Sequence, residues 1–343
     1  MPQSDETRQL AAARGGDQDA FRQLTDPYRR ELLVHCYRIL GSVDDAEDMV
    51  QETLLRAWRR LESFEGRASL RSWLYKIATN VTLDTLDHQR RRTLPPATHA
   101  AADPRDPLPG PARDRLWLEP LPDTLIDPRP TVNPEAHYEA RESVSLAFLA
   151  ALQALPGRQR AVLLLRDVIG WNASEVAEIL SMTVVAVNSA LQRARTTMKK
   201  HQSSPIAAPY ARHDDPQTAA LLTRYVAAWE AADSTRLIAL LREDAILTMP
   251  PLPAWYVGRA AIQLFLDTVV FSGPDHGQLH LTATGANGCP AFAVYQSGDD
   301  GVYRAAGLQV LTIAQGQIAQ IDDFLAFDDR LFFRFGLPLV MDR

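Results

Sequence analysis

Eleven of the 23 prolines in this chain fall between residues 95 and 134. Proline lacks a backbone N–H and fixes φ, so so proline-rich a stretch forms neither a helix interior nor a central strand. The 343 residues are thereby divided into parts that must each build a core. Residues 5–93 read as almost continuous helix, with breaks expected at Asp26–Pro27, Gly41–Ser42 and Glu65–Gly66. Residues 94–134 read as a linker, semi-extended where prolines cluster. Residues 135–201 are helical again, and 202–216 form a second, polar linker. From 217 to 337, helices give way to alternating, β-branched segments. Within the first linker, Leu116-Trp117-Leu118-Glu119-Pro120 concentrates apolar side chains that a mere spacer does not need. Trp117 and Leu118 are the expected contacts of a segment that docks on a neighbouring domain.

The apolar fraction of 46% is that of ordinary globular domains. No run of about 18 apolar residues occurs, so no membrane partner is expected. Met1 to Arg8 is polar and lacks an apolar signal-peptide core, so a cytoplasmic location is expected. Cys36 and Cys289 are far apart, so neither a disulfide framework nor a cysteine-rich metal site is expected. No metal and no cofactor are called for. A net charge of −6 argues against indiscriminate coating of nucleic acid, but the charge is segregated. Acids gather at Asp44, Asp45, Glu47, Asp48 and Glu52, and bases at Arg90, Arg91 and Arg92. Residues 188–200 hold Arg193, Arg195, Lys199 and Lys200 with no acid among them.

Ser42 followed by Asp45 has the form of a capping box opening a helix that runs to about Leu61. Ala46, Val50, Thr53, Leu54, Ala57 and Leu61 keep the spacing of a buried face, while Asp45, Asp48 and Glu52, with Arg56 next in the row, line another. Charge alone allows this row to be either a solvated stripe or a partner face. A glycine turn then leads from Phe64 into a helix dense in aromatic and basic residues. Rings stack on unpaired bases and cations meet phosphates, although Trp73 and Ile77 taken singly fit a core equally well. Asp44-Asp45-Ala46-Glu47-Asp48-Met49-Val50-Gln51-Glu52-Thr53 and Ser72-Trp73-Leu74-Tyr75-Lys76-Ile77-Ala78-Thr79-Asn80 together resemble region 2 of the sigma-70 family. The compact layout, without regions 1.1 and 3, is similar to the extracytoplasmic-function group. The resemblance implies that Asp45, Asp48, Gln51, Glu52 and Arg56 dock on the β′ clamp helices of core RNA polymerase. It also implies that Phe64, Arg67, Ser69, Trp73, Asn80, Arg90 and Arg91 melt the −10 element and hold a flipped base.

The second helical block ends in two helices joined by a tight turn. Asn172 to Leu180 forms the first, with Ser174 as its expected N-cap, and Val184 to about Lys199 the second. Val187, Leu191 and Ala194 point inward, leaving amides and arginines outside and no carboxylate from Val184 through Lys200. Asn and Gln pair with adenine, and Arg with guanine, in the major groove. Residues 144–200 resemble sigma region 4. That resemblance implies reading of the −35 element by Thr183, Asn188, Ser189, Gln192, Arg193, Arg195 and Lys199, with the polymerase β flap as the protein partner.

Residues 217–232 and 235–242 read as helices, 245–249 as a strand and 259–270 as another helix. Strands are expected at about 278–284, 290–296, 302–314 and 317–326, with turns at Asp299-Asp300-Gly301 and Gln315-Gly316. This order resembles SnoaL-like domains, the cone-shaped α+β fold of the nuclear transport factor family. The whole is then multidomain: two all-α domains, sigma region 2 and a region 4 helix-turn-helix, plus an α+β SnoaL-like barrel. Some sigma factors of this group carry such a domain with a Trp-Leu-Pro-like linker motif; Trp117-Leu118-Glu119-Pro120 resembles it, with a departing Glu-Pro order. Trp255, Tyr256, His280 and Asp322 are candidate pocket residues, as is Asp323. Adjacent strand residues point oppositely, so at most one of the two aspartates enters the cone. A small-molecule ligand, or a cyclase- or isomerase-like domain tethered to a DNA-binding module, is the alternative to a regulatory domain on a non-enzymatic initiation factor.

Asp48→Arg reverses the charge at the centre of the acidic row. It is expected to abolish capture by core RNA polymerase in a pull-down while leaving the helical content by circular dichroism unchanged.

Overall fold

The computed structural model describes residues 3–66, 68–88, 90–112, 116–126, 142–202, 215–272 and 278–341. They fall into two compact units. The first comprises Met1–Arg92, Thr124–Val144 and Ala151–Lys199, the second Thr93–Asp123, Ser145–Ala150 and Lys200–Arg343.

The first unit is helical: α1 (Gln3–Arg14), α2 (Gln18–Leu40), α3 (Val43–Arg59) and α4 (Leu70–His88) come before the proline-rich stretch. After it come α5 (Leu146–Gln153), which the unit boundary divides, α6 (Gly157–Leu163), α7 (Ala173–Leu180) and α8 (Val184–Gln202). The break expected at Asp26–Pro27 does not occur, because α2 runs through Pro27. An interior proline costs about 3 kcal/mol, and the continuous burial of Leu32 to Leu40 on the far side outweighs it. The helix stops instead at Gly41, whose φ of 75° lets its N–H return to the Tyr37 carbonyl. Ser42 then caps α3 by accepting from the Asp45 N–H, and Ala46, Val50, Thr53, Leu54 and Ala57 are buried as spaced. The cap of α7 differs from expectation. Asn172, not Ser174, is the N-cap, and Glu175 completes a reciprocal capping box with it. Asn172 Oδ1 accepts from both the Ser174 and Glu175 N–H groups, so Ser174 lies inside the first turn.

The helices on either side of the proline-rich stretch share this unit, and a buried cation joins them. Arg160 of α6 is 1% exposed and donates to Gln153 Oε1 at 2.7 Å, to the Gln153 and Leu155 carbonyls at 3.2 and 3.1 Å, and to the Ile39 carbonyl. Burial lowers its pKa to about 9, so it stays charged at neutral pH. Its position at the C-terminal end of α2 is the one a cation favours on a helix dipole. Arg38 adds bonds to the Ser143 carbonyl and hydroxyl at 3.1 and 2.6 Å. Close approach is made possible by Gly157, where a Cβ would come within 2.9 Å of Leu86 on α4.

The second unit contains α9 (Pro216–Glu230), α10 (Ser234–Leu240) and α11 (Arg259–Phe265), which ends in a π-helical turn, Leu266–Val270. Its strands are β1 (Leu241–Thr248), β2 (Trp255–Val257), β3 (Leu279–Ala286), β4 (Cys289–Ser297), β5 (Tyr303–Ala314), β6 (Gln317–Leu325) and β7 (Val340–Met341), with α12 (Arg330–Arg334) before the last. The sheet order is β2-β1-β6-β5-β4-β3, with β7 added on β5. Only the β1–β6 pairing in this sheet is parallel among the described residues; the others are antiparallel hairpins or returns. Tyr225 and Trp229 of α9 pack with Leu247, Phe265, Phe292, Leu311 and Ile321 in one core cluster, so the helices cover one face of the sheet. No single helix among the described residues is long and apolar enough to cross a membrane.

Arg160→Ala would leave buried carbonyls without donors and open a cavity. It is expected to destabilise the helical unit by about 3 kcal/mol, measured by urea unfolding.

Candidate nucleic-acid and polymerase interfaces

On α3, Asp48 and Gln51 are exposed, while Asp45 and Glu52 of the same row are engaged by arginines. Asp45 is paired with Arg92 (Oδ2–Nη2, 2.9 Å) and Glu52 with Arg56 (Oε1–Nε, 2.6 Å); Arg56 also lies 3.9 Å from Asp84. The expected acidic row is thus a partly neutralised surface with Asp48 at its centre. Leu55, 42% exposed, sits one turn along from Gln51 and Glu52. The sequence reading missed it, because an apolar residue off the buried stripe carries no signal until exposure is known.

The residues assigned to the −10 side are dispersed in role. Phe64 is buried and meets Trp73 ring to ring at 5.0 Å, while its carbonyl accepts from Arg14. Ser69 caps α4, its Oγ accepting from the Ser72 N–H at 3.1 Å. Trp73 is half-buried, and Arg90 and Arg91 are exposed. Arg67 lies outside the described residues. Asn80 is partly buried in a crevice of about 310 Å³, where Leu83 and Asp84 of α4 face Gly157, Arg158 and Leu180. One turn and more upstream, the same helix meets the segment between α6 and α7. Tyr75 and Trp171 lie edge to face at 5.0 Å. The Arg71 guanidinium lies 5.0 Å from the Tyr75 ring centre and 5.6 Å from that of Trp171. Glu31 holds Arg71 there, both carboxylate oxygens accepting from Nε at 3.0 Å.

On α8, Asn188, Gln192, Arg195 and Lys199 are exposed along one stripe, at i, i+4, i+7 and i+11, with Arg193 beside it. Ser189 is half-buried. Thr183 caps the helix, its Oγ1 accepting from the Ala186 N–H at 3.2 Å. The stripe borders an open groove of about 420 Å³ that Arg166 joins from the π-helical turn Leu164–Val168. Val185, 75% exposed at the start of α8, adds an apolar contact of the kind that meets a thymine methyl.

The segment around Trp117 is part of the second unit. Trp117, Leu118 and Leu121 are buried, and the Leu118 N–H donates to the Thr93 carbonyl at 3.0 Å. At the β3–β4 turn, Leu121 N–H donates to Asn287 Oδ1 at 2.9 Å, and Asn287 N–H returns to the Leu121 carbonyl at 2.8 Å. The Gly288 N–H donates to Asp123 Oδ1 at 2.7 Å, and Arg334 pairs with Glu119 at 3.2 Å. Asn287 and Gly288 have φ of 56° and 73°, the left-handed pair that a two-residue hairpin requires. The Asn-Gly pair signals the turn in sequence. Its grip on residue 121 has no sequence signal.

Models of known families match three stretches: Sigma-70 region 2 over residues 24–92, Sigma-70 region 4 over 145–198 and the SnoaL-like domain over 222–321. The chain is 46% identical over 335 residues to the ECF RNA polymerase sigma factor SigG of Mycobacterium tuberculosis, spanning 96% of this chain and 86% of that one. The chain belongs to the extracytoplasmic-function sigma factors. It is also 28% identical to SigW of Bacillus subtilis over 193 residues, 56% of this chain and 94% of SigW. The crystal structure of Mycobacterium tuberculosis SigJ superposes with a TM-score of 0.57 over 91% of this chain and 98% of that one, at 23% identity, and shares its fold. Sigma factors bind core RNA polymerase and promoter DNA, and this one carries a SnoaL-like domain after region 4.

In that domain the candidate pocket residues of the sigma factor part company. Trp255 donates from Nε1 to the His99 carbonyl at 2.9 Å, and its own carbonyl accepts from the Ala102 N–H, so it serves the linker. Tyr256 is buried and stacked on Phe265 at 4.5 Å. His280 is about half exposed, its Nδ1 3.0 Å from Glu230. Asp322 lies on the sheet face away from α9, its Oδ1 accepting from Thr248 and Gln320 at 2.7 Å each. Asp323 lies on the helix-covered face with Ile321; Gln309 donates to it at 3.4 Å and accepts from the Tyr225 hydroxyl at 2.7 Å. Burial raises both carboxyls from the ordinary 3.8 to about 6.

The folded domain therefore holds these protons more tightly than the unfolded chain. Stability is expected to fall as pH rises from about 4 to about 6 and to hold that penalty above it. Asp323→Asn is expected to flatten this dependence and to raise the thermal midpoint at pH 7; scanning calorimetry across the window checks it.

Proposed function

We propose that this sigma factor directs promoter-specific initiation through two DNA-reading faces whose separation is controlled by its SnoaL-like domain. It acts in the cytoplasm by binding and melting, with no bond chemistry of its own. Region 2, residues 5–93, meets the β′ clamp helices through Asp48, Gln51 and Leu55, with the Asp45–Arg92 and Glu52–Arg56 pairs at the margin. Asn80, Trp73, Arg90 and Arg91 serve the −10 side. Region 4, residues 135–201, meets the β flap and reads the −35 element with the Asn188, Gln192, Arg195 and Lys199 stripe. Residues 217–337 form the regulatory module.

The observation that carries this reading is the bonding of the linker to the SnoaL-like domain through Leu121–Asn287, Asp123–Gly288 and Glu119–Arg334. The −10 and −35 elements lie about 25 base pairs apart, or about 85 Å of duplex at ~3.4 Å per step. The two readers pack together in one unit, with Tyr75 and Trp171 at 5.0 Å, so they must part to engage both elements. Residues 93–123, once held by the domain, are withdrawn from the tether that permits this. Docking restrains the readers; release extends the tether.

Trp117→Ala, alone or with Asp123→Ala, is expected to expose residues 93–123 to limited proteolysis and to raise transcription by the reconstituted holoenzyme several-fold. Unchanged protection of the linker, or unchanged transcription despite its release, would overturn the regulatory role.

A further inference from the structure

The face of α8 assigned to the −35 element carries no acid of its own, yet the structure places one against it. Asp167, from the π-helical turn Leu164–Val168, engages Arg195 with both carboxylate oxygens. Arg195 donates from Nε to Oδ2 at 2.9 Å and from Nη2 to Oδ1 at 2.7 Å. The pair is well exposed, with 56% of the arginine side chain and 30% of the aspartate accessible. An ion pair so exposed adds little to stability. A carboxylate on Arg195, which lines a groove with Arg166 and Lys199, also repels the phosphates that these cations would attract. Stability and bulk DNA affinity therefore both leave its placement unexplained.

Geometry explains it. The guanidinium has two edges able to make paired hydrogen bonds. Asp167 occupies the Nε–Nη2 edge, so the Nη1–Nη2 edge is not the one it engages, and Arg195 lies on the same exposed stripe as Asn188 and Gln192. That terminal edge matches the O6 and N7 acceptors of guanine in the major groove. Without the buttress, a long flexible arginine can swing onto the nearest phosphate, which carries no sequence information. We propose that Asp167 is a specificity-determining residue, which holds Arg195 in the orientation that reads a guanine and keeps it off the phosphate backbone. This rests on the reading of α8 as the −35 face.

The test uses holoenzyme reconstituted from the full chain and core RNA polymerase, with a promoter library whose −35 element is randomised and whose −10 element is constant. The parent should select guanine at one −35 position, and Arg195→Ala should lose that selection. Asp167→Ala should weaken it about tenfold while raising binding to non-promoter duplex at low salt. Asp167→Glu, which can rebuild the paired bonds, should restore most of the preference. A merely structural Asp167 would instead lower the thermal midpoint and weaken binding to all sequences alike. Full guanine selection by Asp167→Ala, alongside its loss in Arg195→Ala, would overturn the buttress alone. Full selection by Arg195→Ala would overturn the assignment of Arg195 as a reader, and the buttress with it.

Discussion

Two reciprocal hydrogen bonds between Leu121 and Asn287 decide how this chain is organised. A proline-rich linker has few backbone donors to satisfy, and without a partner it would behave as a tether. Here the β3–β4 turn offers a side-chain carbonyl and a backbone N–H in the register that one linker residue needs. The left-handed Asn287 makes both available at once, and Gly288 adds a third bond to Asp123. Leu118 and Leu121, buried alongside, supply the apolar part of the attachment. Residues 93–123 of the segment between region 2 and region 4 thus belong to the same unit as the SnoaL-like domain.

The second constraint lies within the helical unit. Arg160 reaches the carbonyl end of α2, and Arg71 bridges Tyr75 and Trp171 under the hold of Glu31. Both are charged groups satisfied by fixed dipoles or rings rather than by apolar complementarity alone. Contacts of this kind are costly to leave half-made, so the two sets of helices have a defined packed arrangement. Asn80, facing Gly157 and Arg158 across a crevice, is at the margin of that packing.

Much of this was legible from local pattern. Ser42 as the cap of α3, its spaced apolar stripe, the turn before α8, and the four closing strands all follow from rules that act within a dozen residues. The misreadings have equally local causes overridden at a distance. Pro27 marks a break by local propensity, and the buried run that follows it carries the helix through. Ser174 has the residue type of a cap, but Asn172 takes that place because Glu175 bonds back to its N–H.

The site was harder, since its residues are partnered across the chain. Asp45 looks like a free acid until Arg92, 47 positions on, neutralises it. Phe64 looks like a stacking platform until Trp73 and Arg14 enclose it. The sequence by itself determined the family, the order of its parts and the faces of its helices, because spacing and capping are short-range. Only the tertiary structure decided which charges are spent on one another, which aspartate faces α9 and what holds the linker. Those choices depend on pairs as distant as Leu121 and Asn287, 166 residues apart, and burial and hydrogen bonding act across space without regard to sequence separation.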